Sequence, residues 1–361
     1  MSALDILISG AGIAGPTLAL LLARSSTEHK ITIVERSPTL RTTGQQVDLR
    51  LSAITINQRL GLLEDLKSIT TEETGMAFVD SGNYVNAAFP VEKGAGSQGF
   101  SSEYEILRGR YAELLYEKTK DLPNVRYIFG DRVESIEQSD NKVHVTFKKG
   151  APNASYDLLV AADGQNSRTR DIAWRQPASS STIEETKLQF KSLDQYMAYF
   201  SMPISDSDLH ATESGMARWF NAPGRRNVLI RPDHRGKQRT SAYLSIVVPP
   251  RTSAASVVDQ STEHDSKSVK QSTRQRLDAV IRDYNDVSSQ KALFRELFAN
   301  VGWEIERILD GMDKSEDFYL QEIAQVKLWP AKEPPNLLWS RGRVVCLGDA
   351  GYCPTPLSGK C

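Results

Sequence analysis

Apolar residues in the first half of the chain form two kinds of pattern. "LDILIS" (4–9), "KITIVER" (30–36) and "YDLLVAADG" (156–164) are near-continuous apolar runs, which are typical of strands buried on both faces. "PTLALLLARSS" (16–26) and "LRGRYAELLYEKTK" (107–120) repeat apolar residues near the 3.6-residue period and predict helices. Because a glycine-rich turn joins the first strand to the first helix, the chain begins with a predicted β-α-β unit and a parallel sheet.

Other segments extend this prediction. "AITINQRLGLLEDLKSI" (53–69) predicts a single helix, and residues 125–149 predict three strands of which the last two form a hairpin. After about residue 180 the pattern changes to that of a mainly antiparallel sheet. Its predicted strands are "KLQFKSL", "QYMAYFSMP", "GMARWFNAPG", "NVLIRPD", "TSAYLSIVV" and "DFYLQEIAQVKL", with helices at "RLDAVIRDY" and "KALFRELFANV". "WSRGRVVCLGDA" (339–350) then returns to the buried-strand character of the first half.

The fold class predicted from this order is α/β, with a Rossmann-like domain interrupted by an inserted, mainly antiparallel domain. We place the nucleotide-binding domain at residues 1–178 and 338–361 and the inserted substrate domain at 179–337. Within the insertion, residues 251–275 are polar and rich in serine, so we expect a mobile surface loop there.

Composition narrows the class of protein further. The net charge is −1, so no overall field attracts nucleic acid, and no run approaches the 18 or so apolar residues of a membrane helix. The three cysteines, Cys346, Cys353 and Cys361, form no disulfide framework, and the five histidines have no metal-site spacing. We therefore expect a metal-free cytoplasmic monomer whose partners are small molecules.

The first chemical motif is "GAGIAG", a G-x-G-x-x-G that follows a strand and opens a helix. Gly10 permits the tight turn, Gly12 lets a pyrophosphate approach the backbone, and Gly15 lets the helix pack closely on the strand. Glu35 ends the next strand, where a carboxylate binds ribose hydroxyls. We assign Arg36, which follows it, to the same cofactor site. The pattern indicates an adenine dinucleotide without saying which one.

Two later motifs narrow the choice of dinucleotide. "DGQNSRTR" (163–170) has the form D-G-x-x-S-x-x-R, and "GDAGYCPTPLSG" (348–359) is similar to G-D-A-x-H-x-x-x-P-x-x-G-x-G. In this order the three motifs resemble those of the class A FAD-dependent monooxygenases, the para-hydroxybenzoate hydroxylase-like group, with tetracycline-inactivating and salicylate hydroxylase-like members nearest. The resemblance covers nearly the whole chain. It implies FAD-binding residues at Asp163, Gly164, Asp349 and Gly359.

The same resemblance assigns roles to two other stretches. In "RTTGQQVDLR" (41–50) it implies that Arg41 lies near NADPH and Asp48 near the flavin. In "EILRGRYAELL" (105–115) it implies that Arg108 contacts FAD, with Arg110 a less certain neighbour. The implied cofactor is FAD, with NADPH or NADH as co-substrate and O2 as the second substrate.

The implied reaction hydroxylates or epoxidises an aromatic or polyketide- or terpenoid-like small molecule of secondary metabolism through a C4a-hydroperoxyflavin. The flavin carries the chemistry, so no catalytic side chain is predicted. A flavin-dependent dehydrogenase or reductase on the same fold, and a non-catalytic remnant, stay open as alternatives. Candidate pocket residues are Met197, Tyr199, Met202, Met216, Trp219, Phe220 and Tyr243.

The third motif departs from the family pattern at two positions. Tyr352 stands where relatives often have histidine, and Lys360 and Cys361 follow Gly359 where relatives continue into a helix. We therefore interpret the chain as truncated, and we expect it to be less stable and to bind FAD more weakly than a relative with the helix.

Overall fold

The computed structural model describes residues 3–91, 99–175, 190–204, 215–233, 239–250, 272–283, 285–328 and 339–355. The strands are β1 (Asp5–Ser9), β2 (Lys30–Glu35), β3 (Gln46–Asp48), β4 (Gly75–Val79), β5 (Val85–Pro90), β6 (Glu105–Leu107), β7 (Val125–Phe129), β8 (Val133–Gln138), β9 (Val143–Phe147), β10 (Ala154–Tyr156), β11 (Leu158–Ala161), β12 (Phe190–Pro203), β13 (Met216–Ala222), β14 (Arg226–Pro232), β15 (Arg239–Val247), β16 (Tyr319–Lys327), β17 (Ser340–Arg341), β18 (Val344–Cys346) and β19 (Tyr352–Cys353).

The helices are α1 (Ala14–Ser25), α2 (Ser52–Arg59), α3 (Leu63–Lys67), α4 (Arg108–Glu117), α5 (Arg168–Arg175), α6 (Thr273–Arg282), α7 (Val287–Phe298) and α8 (Ile305–Lys314). Among the described residues, none of these combines the length and apolarity that crossing a bilayer requires.

A six-stranded sheet forms the nucleotide-binding unit, in the order β17-β18-β11-β1-β2-β7. All its pairs are parallel except β17 with β18. The central strands are buried on both faces, which explains the continuous apolar runs in their sequences. The Rossmann-like part of the predicted fold class is therefore confirmed.

An eight-stranded sheet forms the second unit, in the order β19-β16-β12-β15-β14-β13-β4-β5, and only β13 with β4 is parallel. One face packs against α6, α7 and α8 through a core that includes Phe200, Phe294, Phe298 and Ile308. The opposite face carries a smaller apolar cluster. The antiparallel part of the predicted fold class is also confirmed.

The strands do not divide at the predicted domain bounds. β4 and β5 lie within 1–178 and β19 lies within 338–361, yet all three belong to the eight-stranded sheet. β4 pairs with β13 in parallel, and the paired residues run from Gly75 opposite Met216 to Val79 opposite Phe220. The strands of the second sheet therefore come from three separate parts of the chain. The domain boundaries at 178/179 and 337/338 stay a prediction.

Three local predictions need correction. The single helix at 53–69 is two helices, α2 and α3, because the chain between them turns at Gly61 with φ of 64°. The two strands predicted on either side of residue 194 are one strand, β12, with an irregularity where Asp194 has φ of 58°. The polar loop predicted at 251–275 lies outside the described residues up to 271, but its end is helical from Thr273. Ser272 and Gln275 form a capping box that starts α6 there.

Candidate active site

The glycine loop lies between β1 and α1 and has little room for side chains. Gly10 has φ of 113°, and a Cβ there would lie 2.5 Å from the Ala162 carbonyl oxygen. A Cβ on Gly15 would lie 2.1 Å from the Gly10 carbonyl oxygen. A Cβ on Gly12, by contrast, would meet nothing closer than the Arg108 guanidinium at 3.9 Å. Gly12 is thus the member of the motif that leaves its backbone open to a cleft.

Glu35 holds this loop from the next strand. Its Oε2 accepts a hydrogen bond from the Ala11 N–H at 2.9 Å, and its Oε1 accepts one from the Ser37 N–H at 2.9 Å. The carboxylate predicted to meet a ribose therefore also fixes the glycine loop. Arg36 is exposed at the end of β2 and does not line the cleft.

Arg108 begins α4 and extends across the mouth of the glycine loop. Its backbone N–H donates to the Gln45 carbonyl oxygen at 3.0 Å, and its side chain covers Gly44. Within the described part of the chain, the half-buried guanidinium has no hydrogen-bonded partner. Burial raises the pKa of the neighbouring Asp349 carboxyl, and the positive charge of Arg108 opposes that rise. A cation in this position is available to an anionic ligand.

The polar groups of the second motif, residues 163–170, form hydrogen bonds with one another. The Asp163 carboxylate accepts from the Ser167 hydroxyl, from the Thr169 N–H at 3.0 Å and from the Thr169 hydroxyl at 2.9 Å. It is therefore turned toward the start of α5, and Gly164 and Gln165 line the cleft in its place. Cofactor binding by Asp163 stays a prediction.

Buried Arg170 joins the second motif to the third. Its Nη1 donates to the Gln165 carbonyl oxygen at 3.1 Å and to the Ala350 carbonyl oxygen at 3.0 Å. The third motif also packs closely on α1, since a Cβ on Gly348 would lie 2.9 Å from the Ala14 Cβ. Gly359 lies outside the described residues.

Asp48 and Arg41 take different positions around the cleft. The Asp48 carboxylate lines it, pairs with Arg50 Nη2 at 3.2 Å and accepts from the Ser102 N–H at 3.3 Å. Arg41 is exposed outside the cleft lining, with its guanidinium carbon 5.0 Å from the ring centre of Tyr319.

A single cleft of about 1160 Å³ connects these residues to the eight-stranded sheet. Gly12, Asp48, Arg108, Gly164 and Asp349 line one end. Of the predicted pocket residues, Met197, Tyr199, Trp219 and Tyr243 line the other end.

The remaining three candidates do not line the cleft, and for two of them the strand period gives the reason. Met202 and Phe220 point to the opposite face of the sheet, where they pack in the core against the helices. Side chains alternate along a strand, so one sheet face takes only every second residue. Met216, the last of the three, begins β13.

Comparison with known proteins identifies the family. Residues 3–291 match the family model described as FAD binding domain. The chain is 35% identical to FAD-dependent monooxygenase asL6 of Sarocladium schorii, covering 98% of this chain and 75% of that protein. It is 32% identical to flavin-dependent monooxygenase eupH of Phoma sp, covering 99% and 74%.

The chain belongs to the FAD-dependent monooxygenases. Its fold is similar to that of tetracycline destructase Tet(51), with a TM-score of 0.69, 26% identity and coverage of 99% of this chain and 78% of that one. A Klebsiella pneumoniae HpxO variant complexed with FAD has the same fold, with a TM-score of 0.65 at 17% identity and coverage of 99% and 77%.

The cleft of this monooxygenase fits FAD at its glycine-loop end. The open backbone at Gly12, the N-terminus of α1 and the Arg108 guanidinium, which has no hydrogen-bonded partner among the described residues, together suit a pyrophosphate. The hydrogen-bond donors and the cleft therefore fit FAD, the cofactor of the family. The described residues contain no group of three or more His, Cys, Asp or Glu side chains that could hold a metal ion.

Sequence reasoning missed two features of the monooxygenase's cleft. Phe89 and Phe100 line it and pack edge-to-face with a ring-centre distance of 4.9 Å, beside Phe78 and Trp219. Phe89 belongs to β5, a strand whose residues are all exposed, so its sequence has no alternation of apolar and polar residues that would predict a strand. The only signal in the sequence was the presence of the aromatic residues themselves.

The second missed feature is a buried charge cluster. Arg231, which lines the cleft, donates from Nε and Nη2 to Glu73 at 2.9 and 2.8 Å and also contacts Glu105. Burial raises the pKa of Glu105 well above its usual range, Arg231 opposes the rise, and the charges of Glu73 and Asp48 add to it. One cation thus faces two buried carboxyls, and the cluster reaches neutrality when one of them holds a proton.

Proposed function

We propose that this monooxygenase uses NADPH or NADH to reduce FAD and transfers one oxygen atom of O2 to an electron-rich ring or alkene of a small molecule. The observation that carries the proposal is the single cleft that joins the FAD-binding end to an apolar, aromatic face of the second sheet. Bound FAD supplies the activation of oxygen, which no amino-acid side chain can provide.

The chain's own residues bind and orient in this proposal. The N–H groups around Gly12 and the guanidinium of Arg108 bind the cofactor's phosphates, and Asp349 binds its hydroxyl-bearing chain. Glu35 takes part at the ribose while holding the glycine loop. Arg41 meets the nicotinamide nucleotide at the surface. Gly10, Gly15, Arg36, Asp48, Asp163, Gly164 and Gly359 belong to the proposed cofactor site.

The sheet end of the cleft supports the proposed class of substrate. Met76, Phe89, Met197 and Trp219 present apolar and aromatic surface there, which suits a flat ring or a polyketide- or terpenoid-like skeleton. The solved neighbour named a tetracycline destructase supports a polycyclic substrate by analogy. We also propose that the protein is a cytoplasmic monomer that acts in secondary metabolism.

The decisive experiment follows oxygen atoms. The purified chain is reconstituted with FAD, and NADPH oxidation is measured under ¹⁸O₂ against a panel of phenols, with tetracycline included. We expect a bound-flavin spectrum and one ¹⁸O atom in the product. An oxidised product without label would assign the chain to the dehydrogenase alternative, and a chain that binds no FAD would contradict the proposal altogether.

A further inference from the structure

A second concave surface, the rear groove, lies behind the cleft. It has a volume of about 1010 Å³, and its lining includes Thr42, Leu107, Arg110, Glu117, Asp317 and Tyr319. Gln45, Tyr199 and Tyr243 line both the cleft and the rear groove. These three residues therefore form a shared wall, and the wall is the barrier between the two spaces.

The wall is built on a row of three tyrosines. In the sheet, Tyr199 of β12 stands directly opposite Tyr243 of β15 on one side and Tyr319 of β16 on the other. The ring centres are 4.8 Å apart for the first pair and 4.7 Å for the second, where the rings are stacked. Strand pairing thus aligns three rigid rings across the sheet at one level.

Two of the three hydroxyls hold the chain that enters β3. The Gln45 N–H donates to the Tyr319 hydroxyl at 3.0 Å, and that hydroxyl in turn donates to Gln45 Oε1. The Gln46 N–H donates to the Tyr243 hydroxyl at 3.0 Å, and that hydroxyl donates to Gln46 Oε1 at 3.2 Å. Each glutamine is therefore bound twice by one tyrosine.

The state of these hydroxyls favours the arrangement. Burial raises the pKa of Tyr319 to about 12, so its hydroxyl keeps its proton near neutral pH and can donate while it accepts. Burial also raises the pKa of Tyr243. Tyr199 differs, because within the described residues its hydroxyl has no hydrogen bond although its ring stands between the other two.

We propose that Tyr243 and Tyr319 are positioning residues that clamp the Gln45–Gln46 backbone and so seal the FAD cleft from the rear groove. The inference rests on the proposed function in placing FAD in the cleft. The seal would keep water in the rear groove out of the cleft, where bound FAD would supply the activation of oxygen and where excluding water limits side reactions.

The clamp is tested first without the cofactor. Hydrogen exchange of the peptide covering residues 43–49 is followed by mass spectrometry in the parent, Tyr243→Phe, Tyr319→Phe and the double variant. Each lost hydrogen bond should speed exchange of the corresponding amide by on the order of two- to tenfold. Tyr199→Phe is the matched control, since it removes the hydroxyl of a buried tyrosine without removing a bond to this segment.

The seal is tested with FAD bound. Acrylamide is the probe, and its quenching constant for bound-flavin fluorescence is measured together with FAD content. We expect a rise of about twofold or more in the double variant, with little change in Tyr199→Phe. Unchanged quenching in a double variant that still binds FAD overturns the seal alone, and unchanged exchange overturns the clamp. A parent chain that binds no FAD overturns the proposed function and the seal with it.

Discussion

The two ends of the cleft are built from different parts of the polypeptide. At the glycine-loop end, backbone groups and glycines set the shape, and Gly10, Gly12 and Gly15 lie within six consecutive residues of one motif. At the sheet end, single side chains such as Met76, Met197 and Trp219 come from strands that are far apart in sequence. A short motif can specify the glycine loop, whereas the sheet end depends on how strands pair.

The largest expected effect comes from a methyl group added to the glycine-loop end. Gly10→Ala should destabilise the fold by about 3 kcal/mol or more and abolish FAD retention, because the new Cβ would meet the Ala162 carbonyl at 2.5 Å in addition to the cost of a positive φ. Urea unfolding measures the loss of stability, and the FAD content of the purified variant measures the loss of FAD retention. Gly150→Ala is the control: φ there is 124° but no atom lies within 4 Å of the added Cβ, so only about 1–2 kcal/mol should be lost. Equal losses would refute the importance of the close approach.

The next effect concerns charge at the same end. Arg108→Ala should weaken FAD binding by about 1.5–3 kcal/mol, the range for a hydrogen bond to a charged group. Fluorescence titration with FAD gives the dissociation constant. Arg110→Ala, two residues further on, removes a guanidinium that lines the rear groove and should change affinity less than about twofold. If both variants bind FAD like the parent, Arg108 does not contact the cofactor.

A third test uses the buried charges below the sheet end. Glu105 has a raised pKa in the folded chain, so the folded state binds its proton more tightly than the unfolded state, whose pKa is near 4.5. The contribution of Glu105 to stability is therefore complete below about pH 4.5 and is lost as pH rises toward the folded pKa.

Glu105→Gln removes this titration. The stability of the variant relative to the parent should accordingly rise with pH, by at most about 1.4 kcal/mol per unit, in urea unfolding at pH 5, 6, 7 and 8. Exposed Glu103, changed to Gln, should leave the slope as it is. A constant difference between Glu105→Gln and the parent across this range would show that Glu105 stays ionised.

A smaller effect is expected at the surface. Arg41→Ala should raise the KM for NADPH by about fivefold, roughly 1 kcal/mol, because an exposed cation contributes modestly to binding a phosphate-bearing nucleotide. FAD content should not change. A parent-like KM would remove Arg41 from the nicotinamide site while leaving the FAD assignments untouched.

The smallest effect tests whether the two ends are independent. Trp219→Ala empties part of the sheet end and should leave the FAD dissociation constant within about twofold, since Trp219 belongs to a strand without cofactor-binding motifs. A loss of FAD affinity as large as that of Arg108→Ala would show that the cofactor extends to the sheet face. The two ends of the cleft would then not be independent.

Sequence reasoning succeeded where local chemistry decides the structure. The apolar run before Gly10 and the helical period after Gly15 predicted β1 and α1, because buried parallel strands and glycine turns have local patterns. The helix starting near Arg108 was predicted by the same means. These elements bring Gly12 and Arg108 to one end of the cleft, which Asp349 after β18 also lines, and their contact with FAD stays a prediction.

Sequence reasoning failed where distant partners decide. β4 joins the second sheet by pairing with β13, and no local period in "GMAFV" reveals that partner. The charge cluster combines Glu73, Glu105 and Arg231 from three separate segments, and each alone reads as a solvated charge. α8 was also missed, although Ile305, Ile308, Leu309 and Met312 share its buried face at helical spacing.

The strand order of the first sheet has a consequence for how the chain acquires its structure during synthesis. β18 pairs with β11, and the long strands of the second sheet lie between them along the chain. A ribosome therefore releases β1, β2, β7 and β11 well before the strand that completes their sheet. Until then the edge of β11 has unpaired backbone groups, and Leu159 lacks Val344 and Cys346, which belong to the same buried apolar cluster. An unpaired strand edge beside exposed apolar surface favours association with other chains.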